Sequence, residues 1–199
     1  HNRCRRQRQM CIRDSSDVIG FDLAGPEVGF SVLNHSEACA LALENNINVT
    51  LHADWEVAEG IKEVVLDSNA RRVGHGSQII NDISLNGDEI SFQSSAAKYV
   101  FDNNIALEIC PTSNVQCGAY SNVSDHSFGA LFNAGFNVTI NTDNRLMSDI
   151  TMSEEVNNVV ESFGLDEKDI LSITRNTIEA GFVNAELKNK ALEKVSTLY

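Results

Sequence analysis

Short β-rich runs alternate along the chain with stretches in which apolar residues return every three or four positions. The runs predict strands over VIGFDLA (18–24), NVTLHA (48–53), RRVGHG (71–76), IALEICP (105–111) and NVTINTD (137–143). Between them Val57, Ile61, Val64 and Val65 fall at helical spacing. Shorter stripes of the same kind are Ala97, Val100 and Phe101, and Phe128, Leu131 and Phe132, the last ending at Gly135. Successive strand ends lie about 23 to 35 residues apart, which suits parallel strand–helix–strand crossovers. No Asn-Gly hairpin is expected between consecutive strand candidates. Beyond residue 150 the pattern is helical throughout. Val156, Val159, Val160 and Phe163 form a stripe that stops at Gly164, and Asp166 caps a helix carrying Ile170, Ile173, Thr174 and Ile178. Leu187, Ala191 and Val195 mark a last helix.

Five such units are compatible with an open doubly wound sheet or with part of a closed (β/α)8 barrel. The strand faces distinguish the two. In NVTINTD, Asn137, Thr139, Asn141 and Asp143 share a face; in NVTLHA, Asn48, Thr50 and His52 lie opposite Val49 and Leu51. Strands sandwiched between two helical layers are apolar on both faces. A polar face running to His or Asp at the carboxyl end suits a barrel whose mouth holds a site. No G-x-G-x-x-G or P-loop follows any strand, so nucleotide binding of the Rossmann kind is not indicated.

Composition adds three constraints. With 42% apolar and 22% charged residues, the 199-residue chain reads as one α/β globular domain, and no run is long enough to span a membrane. The net charge of −13 conceals a basic start: residues 1–17 hold five arginines, leaving ten basic and 26 acidic groups in 18–199. So acidic a body argues against nucleic acid as a partner. Residues 1–17 lack apolar periodicity and change composition abruptly at Val18; they are expected to be non-native or disordered and are set apart from the domain 18–199. Five cysteines without a C-x-x-C pair read as reduced thiols of a cytoplasmic protein.

The chemistry-bearing residues gather at predicted strand ends. His52, His75 and Asp143 each close a parallel strand, and in a barrel those ends converge. Imidazole plus carboxylate is the ligand set of a catalytic zinc with an open position.

The words GFDLAGPE (20–27), LHADWE (51–56), RRVGHG (71–76), LEICPTSN (107–114) and VTINTDN (138–144) occur in that order. Together they resemble the adenosine deaminase family, metal-dependent amidohydrolases built on a (β/α)8 barrel, and its bacterial branch in particular. The resemblance covers Val18 to the carboxyl terminus. It implies that the five strands are the fourth through eighth of the barrel, followed by carboxyl-terminal helices, so that an incomplete barrel is expected. It implies one Zn2+ per complete site, with His52 and Asp143 as ligands and His75 orienting and deprotonating the attacking water. By the same resemblance the Gly25 backbone N–H contacts purine N3, where only a bare backbone fits, and Asn144 stands at a position that contacts N7. An amide suits that place, since N7 accepts and an NH2 donates.

Two departures from the family pattern stand out. The family word H-A-G-E is here HADWE, with Trp55 at the position of the catalytic acid and Glu56 one residue late. Glu56 is taken as that acid, on a loop bulged by one residue; otherwise it opens the next helix, and Asp54 and Glu59 are the other nearby carboxyls. No H-x-H pair occurs, although the family carries one on its first strand. The resemblance therefore implies a parent protein that hydrolyses adenosine or deoxyadenosine to inosine and ammonia, while this chain alone is inactive. Its partner would be a small purine nucleoside, and neither nucleic acid nor membrane is expected. Oligomeric state is not readable. The other readings are a deaminase of adenine or another purine, and a non-catalytic barrel fragment.

Overall fold

The computed structural model describes residues 18–53, 58–87 and 89–197. From the amino end, β1 (Gly20–Leu23) leads to α1 (Ser36–Glu44), and β2 (Asn48–Ala53) leads to α2 (Ala58–Lys62), which continues as a π-helical turn over Glu63–Asp67. β3 (Arg72–His75) is followed by a hairpin of β4 (Ile83–Asn86) and β5 (Glu89–Phe92), then by α3 (Ser95–Asp102). β6 (Ala106–Ile109) precedes α4 (Pro111–Gln116) and α5 (Phe128–Asn133). β7 (Val138–Ile140) precedes α6 (Arg145–Ser148), α7 (Met152–Phe163), α8 (Glu167–Ala180) and α9 (Ala185–Ser196).

The main sheet runs β1-β2-β3-β6-β7, and every pairing in it is parallel. Its register separates two chemistries. Gly74 pairs with His52 and Glu108, Glu108 with Thr139, and Thr50 with Arg72, so one face is polar. Leu51, Val73, Leu107, Ile109 and Val138 form the other face and have no exposed surface. Val64, Val65, Val100 and Leu131 from the surrounding helices pack into the same cluster. Each such side chain contributes about 1.5–3 kcal/mol on burial. Helices thus cover one face of the sheet, as on the wall of a barrel, and not both, as in a doubly wound sheet.

The polar face is internally paired. Glu108 accepts a hydrogen bond from the Thr50 hydroxyl (2.7 Å) and holds the Arg72 guanidinium at 3.0 Å. The Arg72 guanidinium lies 3.7 Å from the centroid of the Phe182 ring, a cation–π contact between β3 and the segment after α8. Phe182 also fills the space a side chain at Gly20 would need, since a Cβ there would sit 2.6 Å from its ring.

The helix punctuation follows the sequence. Thr151 and Glu154 form a capping box at α7, which ends on left-handed Gly164 (φ 65°). Asp166 and Asp169 do the same for α8. Gly135 follows α5 with φ 84°.

Two features depart from expectation. Ile83–Asn86 and Glu89–Phe92 pair as the antiparallel β4–β5 hairpin, with Gly87 at φ 62° after β4, where no Asn-Gly hairpin is predicted. Ile83, Ile90 and Phe92 turn inward from it, so the hairpin is an excursion between β3 and α3 that leaves the parallel order intact. Helix α1 has no clear apolar stripe: Leu41 and Leu43 are about half exposed. Phe21 and Phe30 are also exposed apolar side chains, the latter 68% exposed. Among the described residues no helix is long and apolar enough to cross a membrane.

Candidate active site

Because all five strands run the same way, their carboxyl ends open on one side, and the residues that follow them meet there. His52, next to last in β2, is in register with Gly74, and the His52 and His75 rings lie 4.7 Å apart at 77°. Strand alternation alone would put His75 on the apolar face beside Ala53, its register partner. A backbone φ of 59° breaks that alternation and carries the imidazole to the site. Its Nε2 comes within 3.9 Å of Asp143 Oδ2, and Asp143, also at positive φ (53°), follows β7. His75 thus stands between His52 and Asp143 and ties them to one mouth. The Nδ1 of His52 pairs with Glu27 Oε1 at 2.9 Å.

Gly74 explains part of the GHG word. A Cβ at this position would lie 3.1 Å from the His52 Cα, a backbone atom that cannot swing aside. Gly74→Ala is expected to cost about 1–3 kcal/mol through overpacking, read as a lower urea midpoint at unchanged slope. A variant as stable as the parent would remove this reason for the glycine.

The loop after β6 supplies residues that the motif words contain but whose roles only the fold exposes. Ser113 donates a hydrogen bond to Asp143 Oδ2 (2.7 Å), and Asn114 Nδ2 lies 3.3 Å from His75 Nδ1. Both sit on α4, whose start is held by Glu155 of α7: its fully buried carboxyl accepts from the Thr112 N–H at 2.9 Å. Behind Asn114 is buried His126, with Nε2 3.1 Å from Asn114 Oδ1 and Nδ1 accepting from the Phe128 N–H at 2.9 Å. Burial, and secondarily the charge of nearby His75, lowers the pKa of His126 to about 4. As a single histidine away from any strand end, His126 gives no sequence signal.

Gly25 has φ 155° and open space where a side chain would project, so its backbone is accessible. With Glu27, Phe30, His52 and Val64 it lines a groove of about 650 Å3. Asn144 is exposed and caps α6, its Oδ1 accepting from the Met147 N–H at 3.2 Å. This leaves its NH2 as the group to donate to a ligand. Glu56, Trp55 and Asp54 lie outside the described residues, as does the segment 1–17.

The donors fit zinc in kind. A histidine whose second nitrogen pairs with a carboxylate, as His52 does with Glu27, is the usual form of a metal-bound imidazole. In number they fall short: among the described residues no group of three or more His, Cys, Asp or Glu could hold a metal. A catalytic zinc takes three protein ligands.

A half-built (β/α)8 wall with imidazole and carboxylate at its carboxyl-terminal mouth defines the class as an incomplete (β/α)8 barrel with a candidate site at its mouth. The solved structures agree. An adenine deaminase from Arthrobacter aurescens superposes with a TM-score of 0.84 at 20% identity, over 98% of this chain and 56% of its own. An amidohydrolase from Burkhoderia ambifaria with bound Zn gives 0.77 at 19% identity, over 95% and 51%. The family model for adenosine deaminase matches residues 3–198, and the chain belongs to that family. An adenosine deaminase of Mycobacterium marinum is 37% identical over 179 residues, 89% of this chain and 49% of the relative. The chain therefore spans about half the length of the curated relatives it matches.

Proposed function

We propose that the complete protein hydrolyses adenosine or deoxyadenosine to inosine (or deoxyinosine) and ammonia in the cytoplasm, and that this chain supplies the carboxyl-terminal half of its site. The observation that carries the reading is the convergence of His52, His75 and Asp143 at one mouth, with Glu27 and Ser113 fixing the first and last of them. His52 and Asp143 would hold a zinc ion together with ligands from outside the chain. Bound there, zinc supplies an acidified water at neutral pH.

This chain's own residues do the rest. Gly25 offers a backbone donor to purine N3, and Asn144 offers an amide donor to N7, which together place C6 at the mouth. His75 orients the water oxygen against C6. As the C6–O bond forms, the water loses one proton to bulk solvent, Glu56 delivers a proton to N1, and the N1–C6 double bond becomes single; the C6–N6 bond then breaks as the remaining hydroxyl proton passes to the amino group, which leaves as ammonia while the C6 carbonyl forms. The family membership and the mycobacterial relative support adenosine as the substrate.

The test joins this chain to the amino-terminal half of the Mycobacterium marinum relative. The chimera, shown to be folded by a cooperative thermal melt, is expected to convert adenosine to inosine, and this chain alone is not. Dialysis against a chelator should abolish the activity and added Zn2+ restore it. A folded, zinc-loaded chimera that deaminates no purine overturns the proposal; one that acts on adenine and not adenosine replaces its substrate.

A further inference from the structure

His126, Asn114 and His75 form a hydrogen-bond chain whose direction can be read from one end. The Phe128 amide can only donate, so His126 Nδ1, 2.9 Å away, carries a lone pair. A neutral imidazole with a lone pair on Nδ1 has its proton on Nε2. That N–H donates to Asn114 Oδ1 at 3.1 Å. With its oxygen so engaged, Asn114 must turn its NH2 to His75 Nδ1, 3.3 Å away, and an NH2 can only donate. His75 Nδ1 is therefore an acceptor, and the ring proton of neutral His75 resides on Nε2, the atom that faces Asp143 Oδ2 at 3.9 Å.

We infer that Asn114 and His126 are positioning residues that fix the tautomer of His75, so that His75 meets the attacking water as a hydrogen-bond donor at Nε2. A ring in this state orients a water by donating to its oxygen and does not take its proton. The arrangement is locked from behind. His126 is buried and packs against the Tyr120 ring at 4.1 Å between centroids, and Ser127 next to it donates to the Ser77 carbonyl at 2.9 Å. Rotating the Asn114 amide would set its NH2 against the Nε2–H of His126 and its oxygen against a lone pair of His75, at a cost on both sides. A second proton on that ring would face the Phe128 N–H.

The consequence for catalysis rests on the deaminase reading above; the proton position does not. The test is therefore made on this chain, 15N-labelled at histidine, by two-bond 1H–15N correlation, which reports which ring nitrogen is unprotonated. The expected spectrum shows His75 with Nδ1 unprotonated and Nε2 protonated, and His126 likewise. Asn114→Asp presents acceptors on both sides, and should move the His75 proton to Nδ1 while leaving His126 unchanged. A wild-type spectrum with the His75 proton on Nδ1 overturns the inference even if no variant folds, as does an Asn114→Asp spectrum with the proton still on Nε2. A chimera without deaminase activity would count against the proposed function and not against this tautomer.

Discussion

Asp143→Asn in the chimeric deaminase is expected to leave a folded protein whose turnover of adenosine has dropped by at least about a hundredfold, the scale of losing one charged group aimed at the reacting centre. The choice of Asn matters. Asp143 sits at φ 53°, a conformation that Asn tolerates and most residues do not, so the backbone after β7 keeps its path. The Ser113 hydroxyl, which donates to Oδ2 at 2.7 Å, can still find an amide oxygen. What disappears is the negative charge beside His75 and, in the proposed site, the anionic ligand. Zinc content and adenosine turnover are measured together. A variant that keeps both within threefold of the parent would show that Asp143 is only a turn residue.

Acid should destabilise the chain through His126. Its folded-state pKa of about 4 lies below the ordinary value of 6.5, so between those pH values the unfolded chain binds a proton that the folded chain refuses. Stability attributable to this group is complete above pH 6.5 and falls as the pH is lowered, by about 2 kcal/mol at pH 5 and about 3 kcal/mol by pH 4. The cause is first the burial of the ring and second the charge of neighbouring His75. Because many carboxyl groups titrate in the same range, the measurement is a difference. Urea unfolding of the parent and of His126→Phe is compared at pH 7 and pH 5, and the parent should lose about 2 kcal/mol more than the variant. Equal losses in the two proteins would mean that His126 takes up its proton in the fold as easily as outside it.

The parallel wall was legible because its signal is local. NVTLHA becomes β2 at the predicted bounds, and the split between polar Asn48, Thr50 and His52 and apolar Val49 and Leu51 survives as the two faces of the sheet. The other strands end earlier than their sequence runs, at Leu23, His75, Ile109 and Ile140. Asp143 lies in such a surplus, whereas His52 and His75 are the next-to-last and last residues of β2 and β3. Alternation of residue types continues into the surplus residues, while the backbone at His75 and Asp143 turns left-handed, a change no periodicity records.

Glu27, Ser113 and Asn114 stood inside the quoted words without a role, because their partners lie 25, 30 and 39 residues away in the chain. His126 and Glu155 carried no signal. A buried histidine and a buried glutamate look, one residue at a time, like any exposed polar residue. The hairpin at Asn86-Gly87 was hidden because its strands are only four residues each and lie where a crossover helix is expected.

The cation–π contact of Arg72 with Phe182 has a bearing on traffic. Phe182 rests on the first residue of β3 and against Gly20, the first of β1, at the end of the strands away from the histidines. Phe182 thus covers the amino-terminal end of the sheet's polar face and leaves the opposite end open. In the proposed complete barrel, a product would leave by the same mouth through which the next substrate enters.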